Sequence, residues 1–386
     1  VSLSGGGDKT TYYMSVSHVN QDAVYQDVNY RRTNVQSNFT MDLTPELKMG
    51  FQFNGHIGKD TEPAVNASTW ASGGNLNNHH WALFETAPIY RPYANDNENY
   101  LTSIPGRSMH NLAAFTIDNA GKKSETTTEA QAIWSLDWKT PIAGLTGRAR
   151  HSYTYSDYVF DMLRKSWNEY SSDAGTGQYN VAATYTAYMR RATENTQKSS
   201  GQFLLDYDNT FGLHHITAVG GFEFTGINYR SMVNAQSPAA NQFIDLFTTN
   251  SANSVSEGKY TYTTASFVFR AGEDFANKYI VDFAARYDGS WKFPKGKRWG
   301  FFPSVSAAWR ISQEEFFKNS SISNWLTNLK LRASYGEMGD DALTGYADYA
   351  FLPGYTYNNG SYYFSSNPLS STGSSYVLGT RSNGIP

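Results

Sequence analysis

Apolar and polar residues alternate with a period of two along most of the chain. Between Asn34 and Leu43, Val35, Phe39, Met41 and Leu43 share one parity, broken at Ser37, while Asn34, Gln36, Asn38, Thr40 and Asp42 share the other. After Thr44-Pro45-Glu46 the pattern resumes. Leu47, Met49, Phe51, Phe53 and Ile57 line one face, and Lys48, Gln52, Asn54 and His56 the other. Side chains two apart share a strand face, and proline fixes φ in a way that suits a turn, so this segment reads as a β-hairpin. The same reading predicts eleven strands, at 11–19, 34–43, 47–57, 129–139, 145–155, 202–209, 216–224, 260–271, 279–288, 303–311 and 329–335. Their apolar faces include Ala130, Ala132, Trp134, Leu136 and Trp138, then Phe267 and Phe269, then Val281 and Phe283, then Val305 and Trp309.

Charge falls in one register. From the second strand to the last, Asp42, Lys48, Glu129, Asp137, Lys139, Arg148, Arg150, Asp206, Asp208, Glu223, Arg270, Asp282, Arg286, Asp288, Arg310, Lys330 and Arg332 all lie on the polar face. A soluble sandwich strand tolerates a charge near its ends on either face. Exclusion over so many strands points to an apolar face that meets lipid, where a central Lys or Arg costs about 2–4 kcal/mol. Connections between these strands run 14, 3, 71, 5, 46, 6, 35, 7, 14 and 17 residues. Long and short links alternate until the last, as they do in outer-membrane barrels with short periplasmic turns and long external loops. The last link holds Ser312-Gln313-Glu314-Glu315, a capping-box spacing that predicts a short helix there. The predicted fold class is all-β, a transmembrane antiparallel β-barrel. A soluble sandwich or propeller is the alternative, although the repeat that a propeller needs is not seen.

No run of apolar residues is long enough for a membrane helix, and the mean hydropathy is −0.53. Barrel strands dilute that index by alternation. The start, Val1-Ser2-Leu3-Ser4-Gly5-Gly6-Gly7, has neither the basic nor the apolar segment of a signal peptide, so the chain is expected to begin inside a longer protein. Charged residues make up 17% of the 386 and aromatics 16%, the net charge is −3, and cysteine is absent. That removes disulfides, thiolate metal sites and a cysteine nucleophile, and it removes the basic excess of a nucleic-acid binder.

Several segments resemble the SusC-like branch of the TonB-dependent outer-membrane transporters. The most specific is Arg286-Tyr287-Asp288-Gly289-Ser290, then Gly296-Lys297-Arg298-Trp299-Gly300, then Phe302-Pro303-Ser304-Val305-Ser306-Ala307-Ala308-Trp309-Arg310-Ile311-Ser312, with Trp291 and Lys292 departing from the family pattern. Leu329-Lys330-Leu331-Arg332-Ala333-Ser334-Tyr335-Gly336 follows the same family, and Ser4-Gly5-Gly6-Gly7 through Tyr13 resembles its first barrel strand. The resemblance implies a 22-stranded barrel, of which residues 1–386 are expected to form the N-terminal half without a plug domain. It implies import of oligosaccharides or peptides, energy relayed by a TonB complex through N-terminal parts outside this sequence, and a SusD-like surface lipoprotein as a hinged lid. It places the chain in the outer membrane of a Gram-negative bacterium, in contact with lipid and not with nucleic acid. A passive porin or structural barrel, and a soluble glycan-binding protein, are the other function classes.

No catalytic constellation is evident, and neither enzyme activity nor a cofactor is expected. Gly121-Lys122-Lys123-Ser124 lacks the upstream glycine and residue order of a phosphate loop and reads as a basic loop tip. His79-His80 and His214-His215 are adjacent pairs, and adjacent strand side chains diverge, so neither pair chelates by itself. Asp96/Glu98 and Asp340/Asp341 read as solvated acids, with a loop calcium as the alternative; no metal site is expected. The long links carry Trp, Tyr and Asn, types that stack on rings and hydrogen-bond hydroxyls or amides. Trp70, Trp81, Tyr90 and Trp167 are the substrate-binding candidates, against the reading that such aromatics pack the loops together. Trp134, Trp138, Tyr153, Tyr279, Tyr287 and Trp309 are candidates for the lipid face or its aromatic girdle.

Overall fold

The computed structural model describes residues 1–65, 82–84, 86–104, 111–237, 253–341, 354–363 and 375–382. Its strands are β1 (Ser2–Gly7), β2 (Thr10–Asp22), β3 (Asn29–Asp42), β4 (Leu47–Pro63), β5 (Gly121–Lys139), β6 (Leu145–Arg164), β7 (Trp167–Ser172), β8 (Tyr179–Tyr185), β9 (Tyr188–Phe211), β10 (His214–Gln236), β11 (Asn253–Phe275), β12 (Tyr279–Ser290), β13 (Trp299–Trp309), β14 (Leu331–Gly336), β15 (Gly354–Tyr363) and β16 (Ser375–Ser382). The links hold short helices, among them α1 (Ile117–Ala120) and α2 (Glu315–Lys318). Twelve strands form one sheet in the order β1-β2-β3-β4-β5-β6-β9-β10-β11-β12-β13-β14, and β7-β8 and β15-β16 form two-stranded sheets. The chain divides into two compact units. One comprises Val1–Trp138, Ala149–Gly201 and Gly226–Thr261, the other Lys139–Arg148, Gln202–Thr225 and Tyr262–Pro386.

The predicted strands are all present, and the sheet holds one more. β1 reads Ser-Leu-Ser-Gly-Gly-Gly, which offers no apolar alternation, yet it pairs with β2 from Ser2↔Ser15 to Gly7↔Thr10. The short-turn ends of the strands fall within a few residues of their predicted positions. At the long-link ends the strands run well past them, so that β9 has 24 residues and β10 has 23. A membrane strand needs only about 9–11 residues. Beyond that length both faces meet polar surroundings, so the alternation fades while the backbone ladder continues.

The register fixes which residues share a face. Phe39, Phe51 and Trp134 are cross-strand neighbours, as are Phe267 and Tyr287, then Phe283 and Val305. Most of these large apolar side chains are exposed: Trp134 is 44% exposed, Phe267 53% and Val305 47%, while Phe39 and Phe51 are half-buried. Ser266, beside Phe267 on the opposite face, is only 8% exposed. A soluble sheet buries its apolar register; this sheet presents it outward, and that arrangement is stable against hydrocarbon. The predicted lipid-face aromatics Trp138, Tyr153, Tyr279 and Tyr287 are likewise exposed. On β4 the outward apolar run from Leu47 to Ile57 covers about 33 Å of strand at about 3.3 Å per residue, which a tilt of about 40° reduces to the roughly 25 Å band of a barrel.

Adjacent antiparallel strands put successive links at opposite ends of the sheet. The β3–β4, β5–β6, β9–β10 and β11–β12 turns lie at one end. The β2–β3, β4–β5, β6–β9, β10–β11 and β12–β13 links lie at the other. The 310–330 link belongs to the short-turn end. It contains α2 as predicted, but the N-cap residue is Glu314, not Ser312. The Glu314 carboxylate is occupied instead by Tyr279 Oη at 2.6 Å, Lys278 Nζ at 2.9 Å and Trp309 Nε1 at 3.0 Å. Hydrogen bonds from Tyr279, Lys278 and Trp309 hold its carboxyl down at about 2. Its stabilising contribution is therefore complete above the ordinary carboxylate range and is lost as pH falls through about 2. Thermal melts of Glu314→Gln should lie below the unsubstituted protein near neutral pH and converge with it in strong acid. An equal gap at both pH values would remove the carboxylate charge as the cause.

Candidate functional site

The inward face of the second unit is a ladder of compensated charges. Arg148 holds Asp206 through Nε at 2.7 Å and Nη2 at 2.5 Å. Gln202 donates to Glu223 at 2.5 Å, and Arg286 reaches both Glu223 at 3.3 Å and Asp288 at 3.1 Å. Arg270 pairs with Asp282 and Arg310 with Asp274, each at 2.9 Å. An arginine fork beside a carboxylate satisfies several donors at once, so this wall is polar and close to neutral.

A cleft of about 410 Å³ opens on this face, lined by Tyr262, Thr264, Ser266, Arg286, Asp288, Ser290 and Phe302 from the strands and by Lys297, Arg298, Asp340 and Asp341 from the links. Ser290 Oγ donates to Asp341 Oδ2 at 2.8 Å, and Lys292 Nζ donates to the Asp341 carbonyl at 3.1 Å. Trp291 meets the Tyr262 ring edge-on at 6.0 Å, and the Lys292 ammonium lies 5.9 Å from the same ring. The two residues that depart from the family pattern thus both pack on Tyr262 at the cleft. Asp341, read from sequence as solvated, is hydrogen-bonded. Asp96 is paired with Arg91. No group of three or more His, Cys, Asp or Glu gathers for a metal among the described residues.

In the first unit the β4–β5 link and the β7–β8 hairpin pack into a module of their own. Val65, Ala82, Leu101, Ala114, Phe115, Ala120 and Trp167 form its core, with Tyr93 and Tyr185 against it. Asn111 staples it: Nδ2 donates to the Pro92 carbonyl at 2.7 Å and the Thr102 carbonyl at 2.9 Å, and Oδ1 accepts from Ala113 N at 2.9 Å. Buried Glu169 accepts from Asn111 N at 3.1 Å and Tyr185 Oη at 3.4 Å. Burial raises the Glu169 carboxyl above its ordinary range, and burial with the nearby carboxylate pushes the Tyr185 phenol up to about 12. On this module Tyr100 stacks on Tyr179 at 3.9 Å and meets Tyr170 edge-on at 4.9 Å.

Of the expected site residues, Tyr90 and Trp167 lie among the described residues. Trp167 is 8% exposed, stacked on Tyr185 at 4.7 Å inside the module core. Tyr185 covers one face of its ring, and the burial leaves little of the ring exposed. Tyr90 is half-buried in a turn, its amide donating to the Ala87 carbonyl at 3.0 Å. Trp70, Trp81 and the His79-His80 pair lie outside the described residues. His214 and His215 diverge as adjacent strand residues do, to Glu273 at 2.6 Å and Asp208 at 2.9 Å. Gly121-Lys122-Lys123-Ser124 is the start of β5, not the loop tip its basic residues suggested. The β7–β8 hairpin and Glu169 were not anticipated. A signal was present: aromatic ends at Trp167, Tyr170, Tyr179 and Tyr185 flank Asp173-Ala174-Gly175-Thr176-Gly177, turn chemistry between two short strands.

No family model matches the chain. It is 26% identical over 349 residues to TonB-dependent receptor P3 of Formosa agariphila, covering 90% of this chain and 33% of that protein. It is 23% identical over 371 residues to TonB-dependent receptor SusC of Bacteroides thetaiotaomicron, covering 93% of this chain and 35% of that protein. The RagAB peptide importer in its open-open state superposes with a TM-score of 0.72 at 21% identity, over 99% of this chain and 39% of that one. The chain spans about a third of the length of the curated relatives it matches. Outward apolar register, alternating links and these relatives agree: the chain is a homologue of the SusC-like TonB-dependent receptors, a stretch of antiparallel barrel wall in the outer membrane of a Gram-negative bacterium.

Proposed function

We propose that this stretch is part of the wall of an active importer that takes up oligosaccharides or peptides. The observation that carries the reading is likeness along 99% of the chain to RagAB, described as a peptide importer; the SusC relationship supports it. In this reading the work is binding and conformational gating, without a covalent step. A TonB complex supplies the energy, and a SusD-like surface lipoprotein covers the barrel mouth. The cleft beside Tyr262 and Arg286 offers an aromatic face with paired charges, suited to hydroxyl-rich or amide-rich cargo. Trp70, Trp81, Tyr90 and Trp167 remain the loop candidates for contact, and the Tyr100–Tyr179 stack adds a further one.

The test is uptake of labelled oligosaccharides and peptides by cells with and without the full-length protein. Import that stops when the proton gradient is collapsed supports an energised transporter. Uptake that persists unchanged after collapse contradicts it and favours a porin.

Orientation has its own test. This stretch contains no cysteine, so a single one can be placed cleanly. Val24→Cys, at the fully exposed β2–β3 tip, should react with an impermeant thiol reagent on intact cells. Ile142→Cys, exposed in the β5–β6 turn, should react only after the outer membrane is opened. The reverse pattern would invert the topology.

A further inference from the structure

Lys122 and Lys123 part company at the start of β5. Lys123 points inward, with Glu62 Oε1 at 2.5 Å and Glu125 Oε1 at 2.7 Å. Lys122 is exposed and stands opposite Pro63 on the outward face. Two more cations lie on that face. Arg31 and Lys59 are direct cross-strand partners, both exposed. Like charges so placed have Cβ atoms about 5 Å apart and repel. Among the described residues no carboxylate lies within ion-pair distance of Arg31, Lys59 or Lys122; the Arg31 Nε bond goes to the neutral Asn20 amide at 3.1 Å.

These cations line a cleft of about 650 Å³ on the outer wall, closed on one side by the β2–β3 tip and on another by Ile117 of α1. Its two acids, Asp22 and Asp27, accept from neutral donors that cancel no charge, so the cleft carries a net excess of one cation. Asp27 Oδ2 accepts from Ile117 N at 2.9 Å, and Asp22 Oδ1 accepts from Asn29 Nδ2 at 2.6 Å. Elsewhere on the outward register at the long-link ends, Arg191 pairs with Asp161 and Arg230 with Glu257, and Lys259 stands exposed on β11; the cleft differs in gathering three cations in one place.

Its height on the wall identifies its occupant. Lys59 is the first outward residue after the apolar run that ends at Ile57. It therefore stands where hydrocarbon gives way to headgroups, at the end of the sheet that carries the long links. In an outer membrane that leaflet is built of phosphorylated glycolipid. Basic side chains at a membrane surface draw anionic headgroups, and phosphate is well matched to an arginine fork and a lysine point charge. We propose that Arg31, Lys59 and Lys122 bind the phosphorylated sugar headgroup of the outer-leaflet glycolipid, anchoring this part of the wall in the leaflet.

The experiment uses the full-length protein, extracted in mild detergent and reconstituted in nanodiscs containing lipopolysaccharide, with glycolipid retained through washing measured by mass spectrometry. Arg31→Ala/Lys59→Ala/Lys122→Ala should retain about a hundredfold less, and Lys59→Gln alone about fivefold less, from the contribution of each cation at an anionic surface. Arg31→Lys/Lys59→Arg/Lys122→Arg should stay near the unsubstituted protein, as should Arg191→Ala/Arg230→Ala, whose cations are already paired. Enzymatically dephosphorylated lipopolysaccharide should be lost as fast as from the triple variant. Retention by the triple variant equal to that of the parent overturns the proposal, and so does equal retention of dephosphorylated lipid. Displacement by inorganic phosphate alone overturns it as well, because it would make the cleft a simple anion site.

Discussion

Arginine at Val305 will destabilise the assembled protein by about 2–4 kcal/mol, whereas arginine at Ser304 will change it little. The two residues are neighbours on β13, and both side chains are exposed. In a soluble protein the substitutions would be near-equivalent, because exposed positions away from special features usually stay within about 0.5 kcal/mol. They differ here in what they face. Val305 sits among Phe283 and Tyr335 on the outward register, and a cation there must displace hydrocarbon or drag water into it. Ser304 stands opposite Ala284 and Gly336 on the inward, polar register, where arginine keeps its solvent. Phe267→Arg should repeat the Val305 result on β11. Folded yield in bilayers, read from heat-shifted gel mobility, checks both, and equal losses at 304 and 305 would contradict a lipid-facing register.

The second large effect is expected at Trp167. Truncating a buried tryptophan to alanine costs about 3–5 kcal/mol, from lost burial and the cavity left behind. Trp167 contributes both a core side chain and a stacked partner for Tyr185. Trp167→Ala should therefore loosen the module formed by the β4–β5 link and the β7–β8 hairpin, and limited proteolysis should cut within 165–187 much faster. Ile89→Ala, at an 83% exposed position, should leave the pattern unchanged. If Trp167→Ala weakened cargo binding while protease resistance held, the residue would be a contact and the packing account of it would fail.

The membrane part of this fold is legible because lipid imposes a strict rule on every second residue. Val35, Phe53, Trp134, Phe269 and Val305 each had to be apolar, so their strands announced themselves. That rule ends with the hydrocarbon. Past Ile57 on β4 the outward residues are Lys59, Thr61 and Pro63, and no periodicity marks the strand that continues through them. β1 escaped for a different reason: Gly5, Gly6 and Gly7 carry no side chain to show a face, and the strand rests on backbone pairing to β2. The loop module was least legible. Its core draws on residues as far apart as Val65 and Trp167, and nothing local says that a loop tryptophan is buried in a hairpin. Lys122 shows the same limit. Beside Lys123 it read as one basic tip, and only the pairing of β4 with β5 separates an inward ion-paired lysine from an outward one.

The central claim is that the odd-numbered face of β13 lies against lipid. Spin labels placed one at a time at Phe301 to Trp309, in the full-length protein reconstituted in bilayers, test it directly through collision rates with dissolved oxygen and with a water-soluble nickel chelate. The account predicts a period of two, with labels at 301, 303, 305, 307 and 309 favouring oxygen and those at 302, 304, 306 and 308 favouring nickel. Collision rates without that period, or with nickel favoured at 305, would contradict it.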